Sequence, residues 1–291
     1  MRPVLFELPG LGLSLRSYEV CLVFALLLGW VLSLAQAKDD RLPTESMGVA
    51  YLLAVLCGVL GARGLWLAQH PSEFLGPLSL VQLQAGGMAL FGGVLAGGLA
   101  TWAYVRREGV PALAWFDCLG PAILAGMALE SLGAFLAGTD FGLYAPDLAW
   151  GVRFPPGSPA QVFQRNTLSG VVAPDNPSVP VHPVQLYGVV LGVFGFLAAR
   201  RMLASRSFSG GVFCFAFGWM ALSRMVIQNF FMARRESVAI GGIDMNLASG
   251  LFFALVAAYG YRTLSLAAQR AEDPKTHRLW EGGPWTPNEG H

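Results

Sequence analysis

The chain is poor in charge. Of its 291 residues only 13% are Asp, Glu, Lys or Arg, against about a quarter in a soluble domain. That is too little to coat a globule of this size, which excludes an ordinary soluble enzyme and a disordered tail protein. The formal net charge of +1 offers no basic patch, so no nucleic-acid partner is expected. Cysteine is scarce as well. Cys21, Cys57, Cys118 and Cys214 are widely spaced, each inside an apolar stretch. This excludes a disulfide framework and fits small buried hydrophobes. There is no Cys-x-x-Cys pair and no His-Glu-x-x-His motif, so neither zinc nor redox chemistry is indicated. The glycine clusters follow no strand and precede no Gly-Lys-Ser or Gly-Lys-Thr, so they are not a phosphate-cradling P-loop.

What is abundant is apolar surface: 54% of residues are hydrophobic and the mean hydropathy is +0.53. A membrane helix needs about 20 apolar residues to cross about 30 Å of hydrocarbon. Seven stretches qualify or nearly do, at 18–37, 47–68, 86–105, 111–137, 184–199, 210–232 and 247–266. Helices are the expected form, because an open sheet edge is not tolerated in lipid. The fourth stretch is long enough to be tilted or broken, and the fifth is short. With the N-terminus outside, 11 of the 19 Lys and Arg fall in inner connections, six in outer ones, and Arg63 and Arg224 within spans. The bias predicts an outside N-terminus and an inside C-terminus. The fold expected is thus an all-α integral membrane protein of seven transmembrane helices, N-out/C-in. Ala35-Gln36-Ala37 has the look of a signal-peptidase site, but the apolar run starts late and Glu7 and Glu19 do not suit a signal n-region, so the first span is taken as retained.

The longest connection, 138–183, holds eight of the 18 prolines. That spacing forbids a long helix, and a structureless loop of this length is uncommon unless functional or disordered. Trp150, Phe154 and Phe163 are interleaved in it, so it is expected to fold as a periplasmic cap between helices four and five. The expected organisation is a membrane domain over 1–266, the cap within it, and a polar cytoplasmic tail over 267–291.

Glycine is frequent, with 36 residues, nearly twice the usual share of about 7%. Gly86-Gly87, Gly92-Gly93 and Gly97-Gly98 cluster around the third span. Small residues let membrane helices approach closely; a cluster at the mouth of a span could instead admit a lipid headgroup. Ionisable groups inside spans cost several kcal/mol if they face lipid. Arg63, Glu130 and Arg224 must therefore face the bundle interior or a wet cavity. Either they pair with one another, Glu130 taking one of the two arginines, or the guanidiniums bind an anionic group such as a phosphate. His182, at the start of the fifth span, suits a capping or hydrogen-bonding role more readily than that of a base. Asp117 reads as a helix-terminus residue, and Tyr18 and Tyr187 as interfacial anchors.

Several of these pieces together resemble the bacterial prolipoprotein diacylglyceryl transferase family, over about residues 8–264. The carriers are Arg16-Ser17-Tyr18, Gly61-Ala62-Arg63, Gly86-Gly87-Met88-Ala89-Leu90-Phe91-Gly92-Gly93, Asp117-Cys118-Leu119-Gly120-Pro121, Gly138-Thr139-Asp140-Phe141-Gly142, Trp150-Gly151-Val152-Arg153-Phe154-Pro155 and His182-Pro183-Val184-Gln185-Leu186-Tyr187. The resemblance implies a multi-pass enzyme of the bacterial inner membrane with an outward-facing cavity. It would move a diacylglyceryl group from phosphatidylglycerol to the thiol of a lipobox cysteine on a preprolipoprotein. Glycerol phosphate would be released, and no metal or organic cofactor used. It implies catalytic roles for Tyr18, His182 and Arg224. It implies substrate-binding roles for Arg63, Gly86, Gly87, Gly92, Gly93, Gly142 and Arg153.

The departures from the family pattern converge on that chemistry. Phe91 stands where members carry His or Tyr. Ser131 fills an arginine slot and Ala134 a polar one. Gln228 and Phe231 replace an acid and an arginine after Arg224, Gly188 replaces an acid after Tyr187, and Thr139-Asp140 does not cleanly match the acid that some members place before Gly142. Glu130 reverses the sign beside the vacated slot. The sequence therefore carries a second reading, a catalytically silent relative that binds phospholipid or lipoprotein in the retained cavity. A transporter is disfavoured by the shortage of buried polar groups and of paired broken helices.

Overall fold

The protein is described by a computed structural model over residues 4–8, 13–81, 89–168, 172–233, 239–240 and 243–270. Eight α-helices build it: α1 (Ser17–Asp39), α2 (Thr44–Gln69), α3 (Leu90–Arg107), α4 (Ala112–Ala137), α5 (Pro159–Thr167), α6 (Val184–Ala204), α7 (Gly211–Val226) and α8 (Met245–Arg270). A π-helical turn, Ile227–Phe231, continues α7. Two short antiparallel hairpins complete the described residues, β1 (Val4–Leu8) with β2 (Leu13–Arg16) and β3 (Ala239–Ile240) with β4 (Ile243–Asp244).

Among the described residues, six helices are long and apolar enough to cross a membrane: α1, α2, α4, α6, α7 with its π turn, and α8. The chain is accordingly a multi-pass membrane protein. The third expected span is not among the six. Its helix, α3, has 18 residues and closes on Arg106 and Arg107, which lowers its mean apolarity. The fourth expected span, by contrast, is one uninterrupted helix despite Pro121 within it.

Helix α4 is the axis of the bundle. In its most apolar window 61% of residues are buried, against 22–28% for α1, α2, α6 and α7. It packs on α1, α6 and α7, and the approach is close because the facing positions are small. A methyl on Gly192 would lie 2.7 Å from the Ala128 amide, and one on Gly133 would lie 2.8 Å from Cys21 Cβ. The α2–α3 contact is tighter. A methyl on Gly61 or Gly92 would collide with the opposing backbone, and one on Gly97 would lie 2.6 Å from the Ala54 carbonyl oxygen. This is the small-residue packing that lipid-embedded helices favour.

The two ends of the bundle differ. At one end, Arg206 bonds Asp40 at 2.5 Å and lies 4.0 Å from Asp117. Asp117, fully buried in α4, accepts from Gly210 N at 2.7 Å and Phe213 N at 2.9 Å. It is thus a helix-terminus residue, but for α7, whose first amides have no partner inside their own helix. Replacing Asp117 with alanine should cost about 2 kcal/mol through loss of this cap. Thermal unfolding of the detergent-solubilised protein would read it, and an unchanged midpoint would refute the capping role.

The opposite end carries the segment 138–183, which is folded. Phe141, Phe154, Ala160 and Val181 form a small core. Ser158 caps α5, its Oγ accepting from Gln161 N at 3.3 Å. Gln164 both accepts from Val179 N at 2.9 Å and donates to its carbonyl at 3.3 Å. Single bridges tie Val181 to Tyr144 and Val152. At nine residues, α5 respects the limit the prolines set.

Candidate functional site

Ionisable and polar side chains converge beneath this folded segment, where the C-terminal halves of α4 and α7 meet the start of α6. In α4, Met127, Glu130, Ser131 and Ala134 share one helical face; in α7 and its π turn, Arg224, Ile227 and Gln228 do the same. With Val184, Gln185 and Gly188 of α6, and with Asp140, they line a cavity of about 140 Å³.

Glu130 and Arg224 form an ion pair at 2.8 Å, their side chains 22% and 32% exposed. Of the alternatives left open for Glu130, the partner is therefore Arg224. Its Nε is buried with no hydrogen-bond acceptor among the described residues. Gln185, 3% exposed, donates from Nε2 to the Thr139 carbonyl at 2.6 Å, while its Oε1 has no donor among the described residues. The cavity thus has a carboxylate–guanidinium pair and a buried amide in its wall.

The departures noted in the sequence map onto the same space. Ser131, Ala134, Gly188 and Gln228 all line the cavity. Ser131 and Gly188 touch across the α4–α6 contact, so close that a methyl on Gly188 would collide with the Ser131 hydroxyl. Ser131 and Gly188 are therefore direct neighbours across this contact. Phe231 lies instead against His182 and Tyr187, at ring separations of 5.3 Å and 5.8 Å.

Tyr18, in the first turn of α1, opens onto a larger groove of about 560 Å³. Arg16, Glu19, Gly138–Asp140 and Pro155–Pro159 share its wall. Asp140, at φ +51°, lines both spaces, so groove and cavity adjoin.

The remaining predicted site residues are distributed around this centre. His182 bonds Tyr187 Oη through Nδ1 at 3.2 Å, and Trp150 Nε1 donates to the same oxygen at 2.9 Å. His182 is thus held in a hydrogen-bonded aromatic cluster and does not line the cavity. Gly142 serves backbone proximity, since a methyl there would collide with the His182 carbonyl. Arg63 is buried at 2% exposure, with Nε donating to the Ser79 carbonyl at 3.1 Å. It does not join Arg224 in the cavity. Arg153 is exposed on the folded segment. Gly92 and Gly93 face Gly61 and Gly58 across the α2–α3 contact, the packing alternative for that cluster. Phe91 sits in the first turn of α3. Gly86 and Gly87 lie outside the described residues.

Gln185 and Asp140, to which the sequence motifs assign no role, both line the cavity. The available signal for Gln185 was an amide opening an otherwise apolar span, where an unsatisfied polar group is costly.

Comparison with known proteins gives a consistent result. A family model described as prolipoprotein diacylglyceryl transferase matches residues 3–262. A Thermus thermophilus protein named phosphatidylglycerol–prolipoprotein diacylglyceryl transferase is 27% identical over 265 residues, covering 87% of this chain and 95% of that one. Its namesake from Rickettsia conorii is 25% identical, covering 86% and 90%. Another from Cereibacter sphaeroides is 33% identical over 210 residues, covering 67% and 68%.

Proposed function

The chain belongs to the prolipoprotein diacylglyceryl transferase family, and we propose that it transfers a diacylglyceryl group from phosphatidylglycerol to the cysteine thiol of a prolipoprotein. The observation that carries this is the cavity lined by Glu130, Gln185 and Arg224, next to the groove that Tyr18 lines.

The reaction is a displacement at carbon. The cysteine thiolate attacks the glyceryl carbon that bears the phosphodiester. A C–S bond forms, the C–O bond breaks, and glycerol phosphate departs with the electron pair. Arg224 stabilises the charge growing on the phosphate, as a positioned cation does in a site shielded from water. Tyr18, in the adjoining groove, orients the glyceryl group. His182, held by Tyr187 outside the cavity, is a reserve base for the thiol proton. Arg153, Arg63 and Gly142 shape the approach from the same end of the bundle.

The proposed setting is the bacterial inner membrane, with α3 as a seventh span, the N-terminus and segment 138–183 on the outer side, and residues 267–291 in the cytoplasm. The excess of Lys and Arg in the inner connections supports this orientation. One membrane domain then runs from residue 1 to 266, with 138–183 as its outer cap.

The catalytically silent relative draws on one observation, the Glu130 carboxylate that neutralises Arg224. A single experiment separates the two readings. The authentic transferase of a bacterial host is depleted, this chain is expressed, and labelled lipid is followed onto a lipoprotein precursor. Labelled product is the expected result. A folded, membrane-inserted chain that yields none would overturn the transferase assignment and leave the silent relative.

A further inference from the structure

The connection that leaves α2 carries an apolar patch outside the cavity and the groove. Helix α1 starts beside the groove at Tyr18 and ends at the Asp40 cluster, and α2 returns. Residues 70–81 therefore lie at the end of the bundle that holds the candidate site. Two 3-10 turns, Pro71–Glu73 and Pro77–Leu80, build this stretch. Phe74, Leu75, Leu78 and Val81 are 51–89% exposed, and Leu75 is the most exposed large apolar side chain among the described residues. A contiguous patch of this kind calls for a cover, and the bilayer is the fitting one. The stretch follows directly on α2, which is long and apolar enough to cross a membrane. Glu73 is the only charged residue in 71–81, and its carboxylate accepts from Trp66 Nε1 at 3.0 Å, an aromatic of the type that suits a membrane–water boundary. The amides of Glu73, Phe74, Ser79 and Val81 are paired locally, with the carbonyls of His70, Pro71, Gly76 and Leu78. Backbone this irregular is not tolerated in the hydrocarbon itself, so its depth is that of the interface.

The patch is held in a fixed orientation. Arg63, buried in α2, donates from Nε to the Ser79 carbonyl at 3.1 Å. Ser79 is buried, and Leu80 packs on α2 at Gly64, 3.7 Å from a Cβ placed there. Between the two turns Gly76 has φ +127° and ψ 179°, a conformation essentially confined to glycine. Ser79 and Leu80 thus face inward while the four apolar side chains face out. We infer that residues 71–81 are an interfacial anchor whose Phe74, Leu75, Leu78 and Val81 insert into the lipid leaflet on the side of the candidate site, and that Arg63 is the clasp that fixes this anchor to α2. The inference rests on the multi-pass architecture and is independent of the transferase reading. It gives Arg63 a positioning role distinct from the substrate-binding one that the family resemblance implies.

Nitroxide labels read the depth directly. The full-length chain, with Cys21, Cys57, Cys118 and Cys214 replaced by alanine, carries a single label through Leu75→Cys, Leu78→Cys, Leu27→Cys or Asp175→Cys. Each is reconstituted into vesicles of phosphatidylethanolamine and phosphatidylglycerol. Leu27, exposed near the middle of α1, marks the hydrocarbon centre, and Asp175, exposed on the folded segment, marks water. Collisions with oxygen, relative to those with a water-soluble nickel chelate, should be several-fold higher at Leu75 and Leu78 than at Asp175. The depth should be about 5–10 Å, against about 15 Å for Leu27. A water-like ratio at Leu75 and Leu78 would overturn the anchor, as would a depth equal to that of Leu27. Few collisions with either agent would mean a protein cover, a second copy or another chain, and would overturn it too. Arg63→Lys keeps the buried charge but not the Nε donor. It should raise the mobility of the Leu75 label several-fold and leave the Leu27 label unchanged. No change at Leu75, or equal loosening at both positions, would overturn the clasp.

Discussion

Arg224→Ala is expected to reduce diacylglyceryl transfer by about 10³-fold, the scale seen when one positioned donor to a developing oxyanion is removed. Its guanidinium is the cation that lines the cavity, and Arg63, on a different helix corner with the Ser79 carbonyl, is not placed to substitute. The change also deprives Glu130 of its partner at 2.8 Å. Leaving a buried carboxylate unpaired is destabilising by up to about 3–5 kcal/mol, an upper limit here because both side chains retain some exposure. The double variant Arg224→Ala with Glu130→Gln removes that penalty, and should recover the thermal midpoint without recovering transfer. Labelled-lipid transfer and thermal unfolding, measured on both variants, distinguish the roles. Recovery of transfer in the double variant would show that Arg224 acts only by holding the bundle together.

Gly92→Leu carries the largest expected structural effect. A Cβ at Gly92 would overlap the Gly61 carbonyl and lie 2.6 Å from Leu65 Cβ, and a leucine extends well beyond that. Two backbones, not a flexible side chain, block the space, so relief requires α2 and α3 to separate. Overpacking of a tight contact costs about 1–3 kcal/mol and sometimes more, and this position should fall at or above the upper end. Gly98→Ala is the matched control, since nothing lies within 4 Å of a Cβ there. It should shift stability by no more than about 0.5 kcal/mol. The yield of monodisperse protein and its thermal midpoint report both. Equal behaviour of the two variants would mean that the close α2–α3 approach does not hold the bundle together.

Much of this architecture is legible in the chain because lipid simplifies the rules. Apolar runs of the right length must be helices, and five of the seven expected spans closely match helices that the structure makes long and apolar enough to cross. The span starting near 184 also does so, but α6 extends to Ala204, past the apolar run and through Arg200 and Arg201, because basic side chains can reach the interface from a helix end. α3 failed the same criterion through its terminal Arg106 and Arg107. Charges within spans mark Glu130 and Arg224 as inward-facing, but leave open whether Glu130 pairs with Arg63 or Arg224. Pairing depends on how α4 and α7 are rotated about their axes, which the small residues of each contact decide together. Asp117 shows the same limit. Its chemistry as a helix-end residue was evident, yet the amides it satisfies belong to a helix more than 90 residues away. Trp150, Tyr187 and His182 were visible singly, and only the fold of segment 138–183 makes them neighbours.

Helix α8 stands apart from the rest of the bundle. Only 6% of its apolar window is buried, and among the other long helices it packs chiefly on α7. Phe252, Leu255 and Tyr259 are 59%, 68% and 72% exposed. Most of its surface therefore answers to hydrocarbon rather than to shape. One aliphatic side chain serves there about as well as another, whereas a central lysine or aspartate would cost about 2.5–3.5 kcal/mol to insert. Evolution can redraw this outer stave almost freely so long as it stays greasy, while α4, at the axis, has little latitude.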